Sequence, residues 1–509
     1  MHARAAASLV VAIVATAACT GGPGAATGRP APGFRPSYHQ VRCPADVEVQ
    51  LVVTHSCGYL TVLQDRSKPD GLRVKVFVVK IVPPGHLPPD PVLAFGYDLG
   101  FGAEVGSTAP LAERVGRIAY LMDPRGTGHS LPTLACPEVN QLTPAGLTAR
   151  SGDPGVLHQF LGAVGACRAR LTRQGINLAG YDLAAVAADA KDLRQALGIR
   201  KWNLASYGSY SGALLQTLRF DPGGVRAAFI DSPVLPQAHL FSGATAAMQW
   251  ALGRLFAACQ RARRCDQAVP DLRQDWSRAL DRLGRHPVRA TLPGSDETVT
   301  VDAGKLVLAV RAALSNSGGA DIGWLPSAIA SAAAGHIAWQ LLGLIAALRT
   351  VFEYGYQPGA DFPPFSLGAY LSEVCRDQAP FTGRAALRAA AARNRAYTVL
   401  ADNPYLAACR VWDVPPAAPQ LYQAVHTSIP VLVLTGQFDA VSPTPVVRAA
   451  AKSFAHAWLV QVPWQIHNVL GGSACALTIR NRWFNAPTHP PDTGCLATMK
   501  PPHFATSTR

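Results

Sequence analysis

Three serines crowd one short stretch, Lys201-Trp-Asn-Leu-Ala-Ser-Tyr-Gly-Ser-Tyr-Ser-Gly-Ala-Leu-Leu-Gln-Thr217, where an apolar run passes through small residues into a helical pattern. A hydroxyl on such a strand-to-helix turn stands clear of the backbone, where an imidazole can take its proton and helix N–H groups can face an oxyanion. Serine alone is a weak nucleophile; it needs a base within hydrogen-bond reach and a carboxylate that orients the base. His467, in Trp464-Gln-Ile-His-Asn-Val-Leu470, follows a strand pattern and precedes a helix, and is the candidate base. Asp439 ends the apolar run Val431-Leu-Val-Leu-Thr-Gly-Gln-Phe-Asp439 and is the candidate acid, with Asp231 at the end of an earlier strand as its competitor. The chemistry these residues could do is acyl transfer to a serine.

The turn itself favours small residues two before and two after the nucleophile, because strand and helix backbones approach closely there. Ser206 has Leu204 and Gly208 at those places, Ser209 has Tyr207 and Ser211, and Ser211 has Ser209 and Ala213. Local sterics alone favour Ser211.

The elements that must position these groups are legible as pattern. Leu72–Ile81, Pro91–Asp98 and Arg117–Asp123 run β-branched or apolar, as strands do. Ala184–Leu197 repeats apolar residues every three and four positions and stops at Gly198, which predicts a helix ahead of the strand at 201–205. Strands separated by helices imply a mostly parallel sheet. From Ser232 to Ala424 long alanine- and leucine-rich helices take over, apart from a short strand-like stretch at 289–301, which predicts a helical cap inserted into the sheet's sequence. The sheet resumes at 430–436 and 457–462. The apolar run from Ala333 to Leu348 is interrupted by His336 and Gln340 and is short for a membrane span, so it reads as a buried helix.

With 509 residues and 49% hydrophobic content the chain can bury a large core, and it is not disordered. Its N-terminus carries His2 and Arg4, an apolar segment from Ala5 to Ala18, and Cys19-Thr-Gly-Gly22, the layout of an export signal with a lipobox-like end at residues 1–19. Lipid on Cys19 would anchor the chain to the membrane, and the Gly- and Pro-rich residues 20–40 would be its tether. Setting Cys19 aside leaves ten of the eleven cysteines, an even number, which in an exported chain reads as disulfides. Sequential pairing closes five local loops: Cys43 with Cys57, Cys136 with Cys167, Cys259 with Cys265, Cys375 with Cys409, and Cys475 with Cys495. The spacings lack the paired cysteines and nearby histidines of a zinc site. Net charge is +14, yet the densest basic cluster is only Arg261-Ala-Arg-Arg264, so nothing carries a nucleic-acid interface. Diffuse attraction to an anionic envelope surface is the milder implication.

The order Ser, Asp, His is that of the α/β-hydrolases, and the chain resembles one group of them, the secreted actinobacterial tripeptidyl aminopeptidases with a TAP-like C-terminal segment. The likeness runs from about Cys43 to Cys495. Asp123-Pro-Arg-Gly-Thr-Gly-His-Ser130 is similar to that family's D-x-R-G-x-G-x-S loop; Tyr181, Asp189 and Asp192-Leu-Arg-Gln-Ala-Leu-Gly198 resemble its helix before the nucleophile. Ser209-Tyr210 with Gln216-Thr217 resembles its S-Y-G turn and helix, Gly436-Gln-Phe-Asp439 its acid loop, and Cys475 with Cys495 its last cysteine pair. The family's glycines two before and two after the serine are here Tyr207 and Ser211, its glycine-rich oxyanion loop is Phe95-Gly-Tyr-Asp-Leu-Gly100, and the glycine after its histidine is Asn468.

The resemblance implies an α/β-hydrolase fold over residues 41–231 and 425–509, with residues 232–424 as the cap. It implies Ser209, His467 and Asp439 as a triad, and an oxyanion hole from the N–H of Tyr210 and of Gly96 or Tyr97, each donor contributing on the order of 3 kcal/mol. It implies no metal or organic cofactor. The expected substrate is a peptide with a free N-terminus, whose α-amine Glu373 and Asp377 of the cap would hold. An envelope esterase shares the same chemistry, and a non-catalytic binding lipoprotein would share the fold.

Overall fold

The computed structural model describes residues 33–51, 53–95, 114–142, 146, 148–235, 239–315, 322–353, 365–393, 395–401 and 403–506. Nine strands form one sheet: β1 (Ser37–Val41), β2 (Thr54–Leu63), β3 (Arg73–Val82), β4 (Val92–Phe95), β5 (Ala119–Met122), β6 (Trp202–Tyr207), β7 (Val225–Asp231), and, after the small hairpin β8 (Val288–Thr291) and β9 (Thr298–Val301), β10 (Val431–Gly436) and β11 (Ala457–Val462). Their order is β1-β2-β3-β5-β4-β6-β7-β10-β11, antiparallel as far as β5 and parallel from there on. Central strands buried on both faces need continuous apolar sequence rather than alternation, and β5 and β10 have it: every residue of each is buried. This is the α/β-hydrolase fold.

The helices used below are α1 (Pro154–Arg173), α2 (Leu183–Ala196), α3 (Ser211–Phe220), α4 (Ala244–Arg261), α5 (Leu272–Arg285), α6 (Ala303–Ala313), α7 (Leu325–Ala334), α8 (Trp339–Glu353), α9 (Leu367–Asp377), α10 (Pro404–Trp412), α11 (Val469–Gly472) and α12 (Ala474–Asn485). Their starts follow from caps in the sequence. Asp182 accepts from Ala185 N at 2.7 Å, Asp271 from Gln274 N at 3.1 Å, and Ser473 from Ala476 N at 3.1 Å. In α5 the buried residues Leu272, Trp276, Ala279, Leu280 and Leu283 make one stripe, and arginines and aspartates take the other face.

Two corrections concern boundaries. β1 begins at Ser37, inside the stretch expected to be tether, because residues 37–41 pair antiparallel with Cys57–Thr61 of β2. The helical region from 232 to 424 is not one cap. Helices α4 to α8 close a hydrophobic cluster of their own, which extends to Phe438, Ala440 and Ile466. Helices α9 and α10 instead pack with α1, α2 and α3 on one face of the sheet, through Leu367, Leu371, Val374, Tyr405 and Trp412. The Cys375–Cys409 disulfide ties these two helices together. The other four disulfides join Cys43 to Cys57, Cys136 to Cys167, Cys259 to Cys265 and Cys475 to Cys495. The apolar run after Ala333 is broken at Gly335, whose φ of 95° ends α7, and α8 then buries Leu341 and Ile345 in the cap cluster. Among the described residues no single helix is long and apolar enough to cross a membrane.

The Asp123–Ser130 loop shows what its motif is for. Arg125 is fully buried; its Nε and Nη2 grip Asp189 at 2.7 and 2.5 Å, and Nη1 donates to Gly180 O at 2.7 Å, so the loop is riveted to α2. Ser130 Oγ donates to Asp123 O and accepts from Phe77 N. Gly128 has φ 51°, and a Cβ there would lie 2.1 Å from the Asp123 carboxylate. His129 Nε2 lies 3.1 Å from Asp46 and its Nδ1 3.6 Å from Asp123. Burial alone would lower its pKa, but the hydrogen bonds and charges of Asp123 and Asp46 outweigh burial and raise it. A histidine with a raised folded-state pKa contributes stability that is complete below the unfolded value of about 6.5 and is lost as pH rises through the folded one. The melting temperature is therefore expected to fall as pH is raised from that value toward 8, and His129→Asn to flatten this slope; an equal slope in both proteins would show that His129 is not its source.

Candidate active site

Strand β6 ends at Tyr207, and the turn into α3 is made by Gly208 at φ 51°, a conformation glycine adopts without the cost a side chain brings. In a nucleophile elbow the strained residue is the nucleophile itself. Here the strained position holds Gly208, and none of the three candidate serines. The neighbours of each serine do not reveal this; the usable signal is a glycine directly after the last strand residue. Ser211 is buried, donates its hydroxyl to Gly208 O at 2.6 Å, and lies 3.5 Å from Ser206 Oγ, which is buried as well. Ser209, half-buried on the first turn, is the one of the three that reaches the surface. A Cβ on Gly212 would meet Leu183 Cδ1 at 2.5 Å, so the small residue in this part of the motif serves the packing of α3 on α2.

His467 and Asp439 come together across the ends of β10 and β11. Nδ1 of His467 lies 3.0 and 2.9 Å from the two oxygens of Asp439. A carboxylate at Nδ1 places the imidazole proton there and leaves Nε2 as an acceptor. Asp439 is fully buried, and its Oδ1 also accepts from Val441 N at 2.8 Å and Ser442 N at 2.7 Å, so the group that orients the ring is itself held by backbone. The Tyr207 ring centroid lies 5.1 Å from that of His467, which sets the imidazole beside the end of β6 and the elbow.

Asp231, the competing acid, does a different job. Its Oδ1 accepts from Val469 N at 3.2 Å and its Oδ2 from Leu470 N at 2.8 Å, at the start of α11. The backbone around the histidine is tight. Three non-glycine residues with positive φ flank it: Ser232 at 49°, Trp464 at 60° and Asn468 at 65°. Gly436 ends β10 against the same loop, where a Cβ would lie 2.1 Å from Ile466 O. Phe438 N donates to Gln465 O at 2.9 Å, and Trp464 N to the Gln437 side chain at 2.9 Å. Gly436→Ala is accordingly expected to destabilise the protein by more than about 2 kcal/mol, the scale of a backbone clash at a fixed site, measured by denaturant unfolding; a variant as stable as the parent would show that the two loops separate freely.

Residues 397–495 match the family model described as TAP-like protein, a segment that contains both Asp439 and His467. The chain is an α/β-hydrolase with a TAP-like C-terminal segment. It is 30% identical over 216 residues to a tripeptidyl aminopeptidase of Streptomyces coelicolor, covering 38% of this chain and 37% of that protein. It is 30% identical over 221 residues to the tripeptidyl aminopeptidase of Streptomyces lividans, covering 38% of each. The matched stretch is thus little more than a third of the length of these relatives. Solved structures superpose loosely over most of the chain: a proline iminopeptidase from Mycobacterium smegmatis has a TM-score of 0.36 at 14% identity, over 82% of this chain and 96% of that one.

Other expected site residues of this TAP-like chain lie elsewhere. Gly96 and Tyr97 of the oxyanion loop, and Cys19, fall outside the described residues. Tyr210 is buried in the first turn after β6, with its hydroxyl donating to Glu373 Oε1 at 3.2 Å. Glu373 and Asp377 were expected in the cap, gripping a substrate amine. Both sit instead on α9, which packs on the sheet face with α3. Asp377 Oδ2 accepts from Leu183 N at 3.0 Å at the start of α2, and burial together with the charge of Asp182 raises its pKa well above that of an ordinary carboxyl. The pair braces the elbow from behind, because the apolar stripe of α9 fits the sheet face and not the cap.

Proposed function

We propose that this protein is an exported serine peptidase that releases short peptides by an acyl-enzyme route, with Ser209 as nucleophile, His467 as base and Asp439 as the orienting acid. The observation that carries the reading is the His467–Asp439 pair beside the elbow, in a chain whose accessible elbow serine is Ser209. In this reading Ser209 Oγ attacks the peptide carbonyl while its proton passes to His467 Nε2. Backbone N–H groups of Tyr210 and of Gly96 or Tyr97 would receive the oxyanion, the proton would go on to the leaving amine, and water would then release the acyl group. The five disulfides fit an oxidising compartment, which supports export, and lipid on Cys19 would hold the enzyme at the outer face of the cell membrane.

One observation favours a second reading. With Gly208 at the strained position, the elbow's usual nucleophile site carries no side chain, and the protein would bind peptides or acyl groups at the dyad without turnover. A fluorophosphonate probe separates the two. Labelling of the wild type that disappears in Ser209→Ala and persists in Ser206→Ala and Ser211→Ala is expected for the peptidase; an unlabelled wild type supports the binding protein. Substrate class is tested with a chromogenic tripeptide and its N-acetylated form. Faster cleavage of the free-amine form is expected, equal rates would remove the exopeptidase assignment, and preference for a long-chain ester would make the enzyme an esterase.

A further inference from the structure

We propose that Asp231 is a positioning residue for His467: from the tip of β7 it holds the backbone that follows the base, and so fixes the imidazole. The inference builds on His467 being the base. Three consecutive N–H groups after the histidine are gathered by two neighbouring side chains. Asn468 N donates to Ser232 Oγ at 3.1 Å, Val469 N to Asp231 Oδ1 at 3.2 Å, and Leu470 N to Asp231 Oδ2 at 2.8 Å; Ser232 Oγ in turn donates to Asp231 Oδ1 at 2.9 Å. These residues have little freedom to find other partners, since Ser232 and Asn468 both hold left-handed backbone and Ser442 Oγ donates to Ser232 O at 3.2 Å.

The surroundings make the carboxylate consequential. Asp231 is buried, with Arg480 of α12 and His467 as the cationic or titrating groups that face it. Burial pushes its pKa up to about 6, against the pull of the Leu470 and Val469 N–H groups, Ser232 and His467. Burial likewise lowers Arg480 to about 10, with Asp231 opposing it. Around His467 the described groups include Asp439 at Nδ1, the Tyr207 ring and Leu314 O, which faces its N–H at 3.5 Å. A second carboxylate, on the strand next to the one that carries the acid, thus fixes the ring's backbone and adds negative charge near it.

The test uses the full chain and two measurements, the titration of His467 followed by NMR and the rate of fluorophosphonate labelling. Asp231→Asn keeps the shape and removes the charge and one acceptor. The expected result is a lower titration midpoint for His467 and labelling slowed roughly 10- to 100-fold, the cost of a base displaced by a fraction of an ångström or more. A lower melting temperature with unchanged midpoint and unchanged labelling would make Asp231 merely structural and overturn the proposal. If Asp231→Asn does not fold, Ser232→Gly, which suits the positive φ and deletes only the hydroxyl, is expected to slow labelling less; no effect on labelling or on the His467 titration would again overturn it. If the wild type takes no probe, the Ser209 assignment fails, and the titration alone decides the role of Asp231.

Discussion

The hydrogen bond between Asp439 and His467 exists because two strand ends are pressed together with no side chain between them. Parallel strands β10 and β11 run in register from Val431 with Ala457 to Gly436 with Val462, and beyond that register the chain must turn twice within a few residues. Gly436 lets the His467 loop lie directly on the acid loop, and the Phe438 to Gln465 backbone bond closes the contact. Everything that defines the site follows from that contact: the tautomer of the imidazole, the burial of Asp439, and the left-handed backbone at Trp464 and Asn468. A single Cβ at Gly436 would part the loops, which makes this contact a stronger constraint than any side-chain bond in the site.

The cap is joined to the same contact through apolar packing. Phe438 and Ala440 flank the acid and Ile466 precedes the base, and all three belong to the hydrophobic cluster of α4 to α8. Residues around the dyad are therefore core residues of the cap. Substitutions deep in the cap, at Leu306 or Ile329 for example, reach the site by repacking, and the cap also touches it directly where Leu314 O, at the end of α6, accepts from Ala440 N and His467 N, each at 3.5 Å. The cap is also pinned to the core by polar contacts, where Asp302 caps α6 and accepts from Ser151 N and Oγ, at 2.6 and 2.7 Å.

Behind the sheet, the family-like signatures turn out to be fasteners. Arg125 and Asp189 lock the Asp123–Ser130 loop to α2; Asp377 and Asp182 satisfy the first N–H groups of α2; Glu373 receives the Tyr210 hydroxyl beneath the elbow. Charged residues are found in these places because buried helix ends and loop carbonyls need partners that water cannot supply. Their effect on chemistry is indirect, through the rigidity of β6, α2 and α3.

Strand and helix periods, the apolar runs of β5 and β10, and the candidacy of Asp439 and His467 were legible in residue order, because period and strand-end carboxylates are local properties. The even set of ten cysteines carried the pairing that the structure joins, since each loop it closes is local. The allocation of the helices between residues 232 and 424 was not legible, because α9 is amphipathic either way and only packing decides whether its stripe meets the cap or the sheet. The same holds for Glu373 and Asp377, whose charge suited a cleft but whose backbone placed them behind the elbow. Which of Asp231 and Asp439 faces His467 depended on the order of β7, β10 and β11 and on the direction of the loops after them. The apex of the elbow was decided last, by a backbone angle: residue types named three serines, and the turn's geometry put Gly208 where φ is positive, because that is where the strand must reverse into the helix.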